Sequence, residues 1–197
     1  MKGLKVALFI VACIGVLSCK NTGKESGSTA DGVQTSKAEP AVEEVIDNRG
    51  YAVEVGDMAP DFIIEYLDGR TTKLSDLRGK LVMLQFTASW CSVCRKEMPH
   101  IENDIWLKHK DNPNFALIGI DLKEDKQTTE KFAKDMKITY PLTLDLKGAK
   151  FALYTEPNAG VTRNIIIDKT GKIVFLTRLF NEEEFNGMKD FIDEYLR

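Results

Sequence analysis

The run Leu81-Val82-Met83-Leu84-Gln85-Phe86 leads into two cysteines spaced three apart, in Trp90-Cys91-Ser92-Val93-Cys94. The run is short and rich in strand-compatible residues, so it predicts a buried strand. The residues that follow the cysteines, Arg95-Lys96-Glu97-Met98 through Ile101, Ile105 and Trp106 to Leu107, repeat at helical spacing. Cys91 therefore falls where a strand ends and a helix begins. Free backbone N–H groups and the positive end of the helix dipole favour a thiolate at such a place. The second sulfur sits one turn on, within reach of a mixed disulfide formed at the first. Reversible thiol–disulfide exchange requires that geometry.

Two other uses of the pair are weaker. A zinc site needs two more ligands, and the remaining cysteines, Cys13 and Cys19, lie in the first twenty residues, while His100 and His109 show no partner spacing. A purely structural bridge closing so short a loop removes little entropy from the unfolded chain. The reading calls for redox chemistry with no metal and no cofactor.

The first residues bear on the compartment. Lys2 and Lys5 precede an apolar stretch from Val6 to Leu17, shorter than the about 20 residues a spanning helix needs. It reads as the core of a signal peptide. It ends in Val16-Leu17-Ser18-Cys19, which looks like a bacterial lipoprotein processing site with Cys19 as the acylated N-terminus and Cys13 removed. Val16 and Leu17 fit that site loosely, and an ordinary secretory signal is the alternative. From Lys20 to about Pro40 the chain is Gly, Ser, Thr, Lys and Glu with almost no large apolar residue, the composition of a flexible tether. The expected organisation is a signal over 1–18, a tether over 19–50 and one domain over 51–197. The expected location is the bacterial cell envelope, on the periplasmic or outer-membrane face, held by lipid on Cys19. The formal net charge is −3, and no basic patch interleaves with aromatics, which argues against nucleic acid.

Within the domain, Ile63 to Leu67, the turn Asp68-Gly69 and Arg70 to Lys73 predict a hairpin. Leu74 to Gly79 predicts one helical turn, and Pro99 predicts a kink in the helix that carries the cysteines. Phe115 to Asp121 has no polar alternation, as in a buried parallel strand. Helices are expected over Thr128–Met136 and Lys147–Tyr154, and an extended piece over Tyr140–Asp145. A second hairpin runs over Thr162–Arg178. A final helix is capped by Asn181, with Phe185, Met188, Phe191, Ile192 and Tyr195 inward. The order implies an α/β fold: a mixed central sheet flanked by helices.

These residues carry a resemblance. Gly56 with Ala59-Pro60-Asp61-Phe62, then Leu74 with Leu77-Arg78-Gly79-Lys80, precede Trp90-Cys91-Ser92-Val93-Cys94-Arg95-Lys96-Glu97-Met98-Pro99. Ile165-Ile166-Ile167-Asp168 with Gly171-Lys172-Ile173 follows. From about Gly56 to Leu196 the chain resembles the TlpA/ResA-like thiol–disulfide oxidoreductases of the thioredoxin superfamily. The resemblance implies a thioredoxin-like fold with an N-terminal hairpin and a central helical insertion. It implies that Cys91 attacks a partner's disulfide and Cys94 resolves it, with Trp90 offering an apolar surface beside the sulfurs and Pro99 in register. Many thioredoxins have an aspartate six residues before the first cysteine; here it is Gln85. Alignment through Ile118-Gly119-Ile120-Asp121 makes Glu124 a candidate proton relay, with a surface glutamate as the alternative.

The chain departs from that family's pattern at Thr162, which stands where the resemblance implies a cis-proline facing the disulfide. A non-proline cis bond costs about 2.5–4 kcal/mol, so Val161–Thr162 is expected to be trans, with the loop still lying against Cys91. Arg163 or Asn164 is then expected to bring a donor to the Cys91 thiolate.

The implied activity is reduction of protein disulfides. Its partners are disulfide-containing or dithiol proteins, a thiol electron donor and the membrane. A thiol peroxidase is the enzymatic alternative; it needs a threonine three residues before its cysteine and an upstream proline, whereas here Thr87 is four before and Ser89 two before. A redox-inert binding lipoprotein is the non-enzymatic alternative.

Overall fold

The computed structural model describes residues 49–197. Cys13, Cys19, the signal and the tether up to residue 48 lie outside the described residues.

The sheet is built around β3 (Leu81–Thr87), buried along its whole length. Its two neighbours differ in direction. β4 (Phe115–Leu122) pairs with it in parallel, from Leu81 opposite Phe115 to Thr87 opposite Asp121. β6 (Arg163–Ile167) pairs antiparallel, from Val82 opposite Ile167 to Phe86 opposite Arg163. β5 (Leu142–Asp145) and β7 (Ile173–Arg178) complete a five-stranded sheet in the order β5-β4-β3-β6-β7. A separate hairpin, β1 (Ile63–Glu65) and β2 (Thr71–Lys73), precedes it and leads into a 3-10 turn at Leu74–Leu77.

Because side chains alternate across a strand, the sheet has two cores. Val82, Leu84 and Phe86 pack with Ile118, Ile120, Ile165 and Ile167 under Phe151 and Tyr154. Leu81 and Met83 pack with Leu117 and Ile166 under Met98, Phe132, Phe185 and Met188. These last four come from α1 (Ser92–His100), α3 (Lys126–Met136) and α5 (Glu182–Tyr195). Residues 51–59 run beside the β6–β7 turn, where the Gly56 N–H donates to the Ile173 carbonyl (2.8 Å) and the Ala59 N–H to the Gly171 carbonyl (2.9 Å). That turn needs Gly171 at φ +94°, a conformation costly for other residues. Asp168 completes it by accepting from the N–H groups of Thr170 and Lys172.

Some elements differ from expectation. α3 begins two residues early, at Lys126, because the Asp125 carboxylate accepts the Thr128 N–H (2.8 Å). The helix expected over Lys147–Tyr154 shrinks to one turn, α4 (Ala149–Ala152), entered from Gly148 at φ +70°. On α5, Phe185, Met188 and Ile192 are buried, whereas Tyr195 is exposed at the helix end. Beyond Pro99, α1 passes into a π-helical stretch, Ile101–Trp106, and then a short α2 (Leu107–His109). Pro99 has no N–H to give to the turn before it, and the hydrogen-bond ladder widens directly after that missing rung. Among the described residues, no helix is long and apolar enough to cross a membrane.

Candidate active site

β3 delivers the chain to the rim of the sheet, and four residues later Cys91 caps α1. Its backbone is extended (φ −85°, ψ 106°), its N–H donates to the Ala88 carbonyl (3.1 Å), and its sulfur accepts the Cys94 N–H (3.1 Å). A sulfur in that position receives the unpaired amide of the first helical turn, and no acidic residue lies in that turn to oppose a thiolate. Cys91 and Cys94 are joined as a disulfide, with Cα atoms 5.3 Å apart. The two sulfur-bearing residues are not equivalent: Cys91 is 8% exposed and Cys94 is fully buried.

Thr162 closes the other side. It is buried, and its Oγ1 lies 3.1 Å from the Sγ of both cysteines. Its carbonyl accepts the Leu179 N–H (3.1 Å), which ties the loop before β6 to the chain leaving β7. Trp90, immediately before Cys91, is 65% exposed and is no part of the core. Pro99 lies on the same helix, near its far end.

Arg163 behaves otherwise than expected. It is fully buried, but its guanidinium is directed at Tyr51, 4.3 Å over the ring, and donates to the carbonyls of Gly160 (2.9 Å) and Arg49 (2.8 Å). A buried cation is held by ring face and carbonyl dipoles there, so it is not a donor to Cys91. Asn164 is committed elsewhere too: its Nδ2 donates to Glu97 Oε1 (2.6 Å) and Thr177 Oγ1 (2.8 Å).

Glu124 is neither a surface glutamate nor a partner of the sulfurs. It is half-buried, and its two oxygens accept the backbone N–H and the hydroxyl of Ser89, each at 2.6 Å. Its carboxylate thereby fixes the loop that carries Trp90 and Cys91. Behind it lies Asp121, buried on β4, with both oxygens lacking a hydrogen-bond partner among the described residues. Burial first, and then the neighbouring Glu124 carboxyl, push its pKa up to about 8.

A second buried carboxyl escaped the sequence reading. Glu97 is buried one turn beyond Cys94, and burial pushes it up to about 7 against the pull of its hydrogen bond from Asn164. Gln85 Nε2 lies 3.5 Å from it, at the outer limit of a hydrogen bond, and Gln85 Oε1 accepts the Tyr140 hydroxyl at 2.7 Å. The position at which many thioredoxins have an aspartate is thus polar but uncharged, and the titratable group comes from the helix instead. The signal for Glu97 was available: with Cys94, Met98 and Ile101 it follows the i, i+3, i+4 spacing of the buried face. The signal for Asp121 was a lone acid inside an apolar strand.

The chain matches the model of the AhpC/TSA family over residues 55–176. A protein from Bacillus cereus, thiol-disulfide oxidoreductase ResA, is 34% identical over 122 residues, covering 62% of this chain and 68% of that protein. Among solved structures, a candidate protein disulfide isomerase from Bacteroides thetaiotaomicron is 60% identical with a TM-score of 0.73, over 75% of this chain and 92% of that one. A candidate thiol:disulfide interchange protein DsbE from Chlorobium tepidum is 29% identical with a TM-score of 0.65, over 74% and 100% of the two chains. Over the greater part of its length, the chain belongs to the AhpC/TSA family and is a ResA/TlpA-like thiol–disulfide oxidoreductase of the thioredoxin superfamily.

Proposed function

We propose that the protein reduces disulfides of extracytoplasmic proteins, with Cys91 as the attacking sulfur and Cys94 as the resolving one, and that lipid on Cys19 holds it at the membrane. The observation that carries the assignment of roles is the unequal burial of the pair: Cys91 at 8% exposure against Cys94 at none. The Cys91 thiolate attacks a substrate S–S bond, forms a mixed disulfide and expels one substrate thiolate. Cys94 loses its proton, attacks the Cys91 sulfur and expels the second. The substrate gains two electrons, and the chain is left with the Cys91–Cys94 disulfide described above. A dithiol donor then returns it to the reduced form. Envelope location and the anchor are supported by the basic, apolar and Ser18-Cys19 sequence of the first residues.

A thiol-peroxidase reading finds little at the site. The Thr87 hydroxyl donates to the Met98 sulfur (3.4 Å) and the Ser89 hydroxyl to Glu124, so neither upstream hydroxyl serves Cys91.

The test is trapping. A Cys94→Ser protein is expected to accumulate mixed disulfides with envelope proteins and Cys91→Ser to form none; the opposite result reverses the roles. Equilibration with a dithiol buffer is expected to give a potential near that of a reducing thioredoxin, about −270 mV, and a value near −120 mV makes the protein an oxidant instead. Rapid peroxide consumption without insulin-disulfide reduction would favour the peroxidase. Cys19→Ala is expected to release the protein from membranes; retention after signal cleavage removes the anchor from the reading.

A further inference from the structure

A cleft of about 560 Å³ opens beside the Thr162 loop, with Glu156, Asn158, Gly160, Arg178 and Leu179 in its wall. It shares backbone with the disulfide site. Gly160 is two residues from Thr162, hence within about 7.6 Å Cα to Cα, and Leu179 donates its N–H to the Thr162 carbonyl.

Three features show that the wall is built rather than incidental. A Cβ at Gly160 would come within 3.0 Å of Arg178 Nη2, so the absent side chain makes room for the guanidinium. No carboxylate among the described residues forms an ion pair with Arg178. Glu184 is spent on Arg49 and on the Arg178 backbone N–H, and Glu156 lines the cleft without pairing. Leu179 is held at φ +63° and is 44% exposed. The left-handed region is strained for a bulky side chain, and such strain gathers at ligand-binding positions.

We infer that this cleft is a subsite for an acidic side chain of the polypeptide whose disulfide meets Cys91, with Arg178 as its anchor and Leu179 as its apolar wall. The guanidinium fork suits a carboxylate in two parallel hydrogen bonds. The inference rests on the exchange reading and narrows it: favoured substrates carry Asp or Glu a few residues from the reacting cysteine, because only Val161 separates Gly160 in the cleft wall from Thr162 at the sulfurs.

The experiment uses the full chain in its oxidised form and labelled ten-residue peptides with serine in place of the reacting cysteine. Each carries one Glu, or one Gln, at successive distances from that serine, and binding is read by fluorescence anisotropy. At the favoured distance the Glu peptide is expected to bind about tenfold tighter than its Gln counterpart. Arg178→Gln is expected to abolish the ratio, and Arg178→Glu to reverse it in favour of a Lys peptide. Circular dichroism establishes that each variant is folded. Equal binding by the wild type, or a preference that survives in Arg178→Gln, overturns the subsite. Cystine-linked versions of the peptides separate this inference from its premise. Selective binding without exchange supports the subsite and sinks the exchange reading, whereas exchange without selectivity sinks the subsite alone.

Discussion

The Thr162 hydroxyl lies 3.1 Å from each of two sulfurs, yet a hydroxyl has one hydrogen to give. Once the disulfide opens, that hydrogen goes to the stronger acceptor, the thiolate on Cys91. A hydrogen bond to a charged group contributes about 1.5–3 kcal/mol, so Thr162→Ala is expected to raise the Cys91 thiol pKa by about one unit. Thr162→Ser is expected to leave it in place. Ultraviolet thiolate absorbance against pH measures both, and an unmoved Ala curve assigns the hydroxyl to Cys94. At this scale the site was partly legible. Cys91, Cys94 and Trp90 are neighbours in sequence, and the strand and helix around them are local. Thr162 could be placed only through its distance to the Asp168 turn. Arg163 was misread because an arginine beside a redox pair suggests a donor, while its real partners, Tyr51 and the Arg49 carbonyl, are more than a hundred residues away.

Among the described residues, a carboxylate that accepts both the N–H and the hydroxyl of a single serine or threonine recurs: Asp168 does so locally for Thr170, and three further pairs do so across the chain. Asp61 holds Ser75, Glu124 holds Ser89, and Glu102 holds Thr139. Each of these three is distant in sequence, so periodicity and turn signals are blind to it. The Glu102 clasp also shows why the π-helical stretch was not foreseen. Ile101–Trp106 has ordinary helical spacing, and beyond the rung lost at Pro99 its Glu102 and Trp106 both bond Thr139, a contact that spacing does not show. By contrast the caps of α3 and α5, Asp125 and Asn181, act over three residues, and Asn181 was readable directly. Glu124→Ala is expected to destabilise the fold by about 1–2 kcal/mol, because it leaves the Ser89 N–H without its acceptor. Denaturant unfolding measures that loss, and a change confined to exchange rate would mean the clasp positions Cys91 without supporting the fold.

Across the whole molecule, two buried carboxyls govern how stability responds to pH. Glu97 rises from 4.5 to about 7 and Asp121 from 3.8 to about 8, both chiefly through burial. Their folded pKa values exceed the unfolded ones, so the folded chain binds more protons between those limits and stability falls as pH rises through that window. Asp61, Asp68, Asp125, Asp168 and Asp193 shift the other way, held low by their hydrogen bonds. They remove stability only as pH falls below about 4. The unfolding free energy is therefore expected to peak near pH 4–5 and decline by a few kcal/mol toward pH 8. A Glu97→Gln, Asp121→Asn protein is expected to flatten that decline, and an unaltered slope would return it to other groups. The cap at Cys91 has a consequence of another kind. Its sulfur accepts the Cys94 amide while bonded to the Cys94 sulfur, so opening that bond leaves a thiolate already seated as the helix's terminal acceptor. The covalent and the ionic forms then begin the helix in the same way. Proteins that must tell an electron-loaded copy from a spent one then meet the same helix start in both, with a charge in place of a bond at the less buried of the two cysteines.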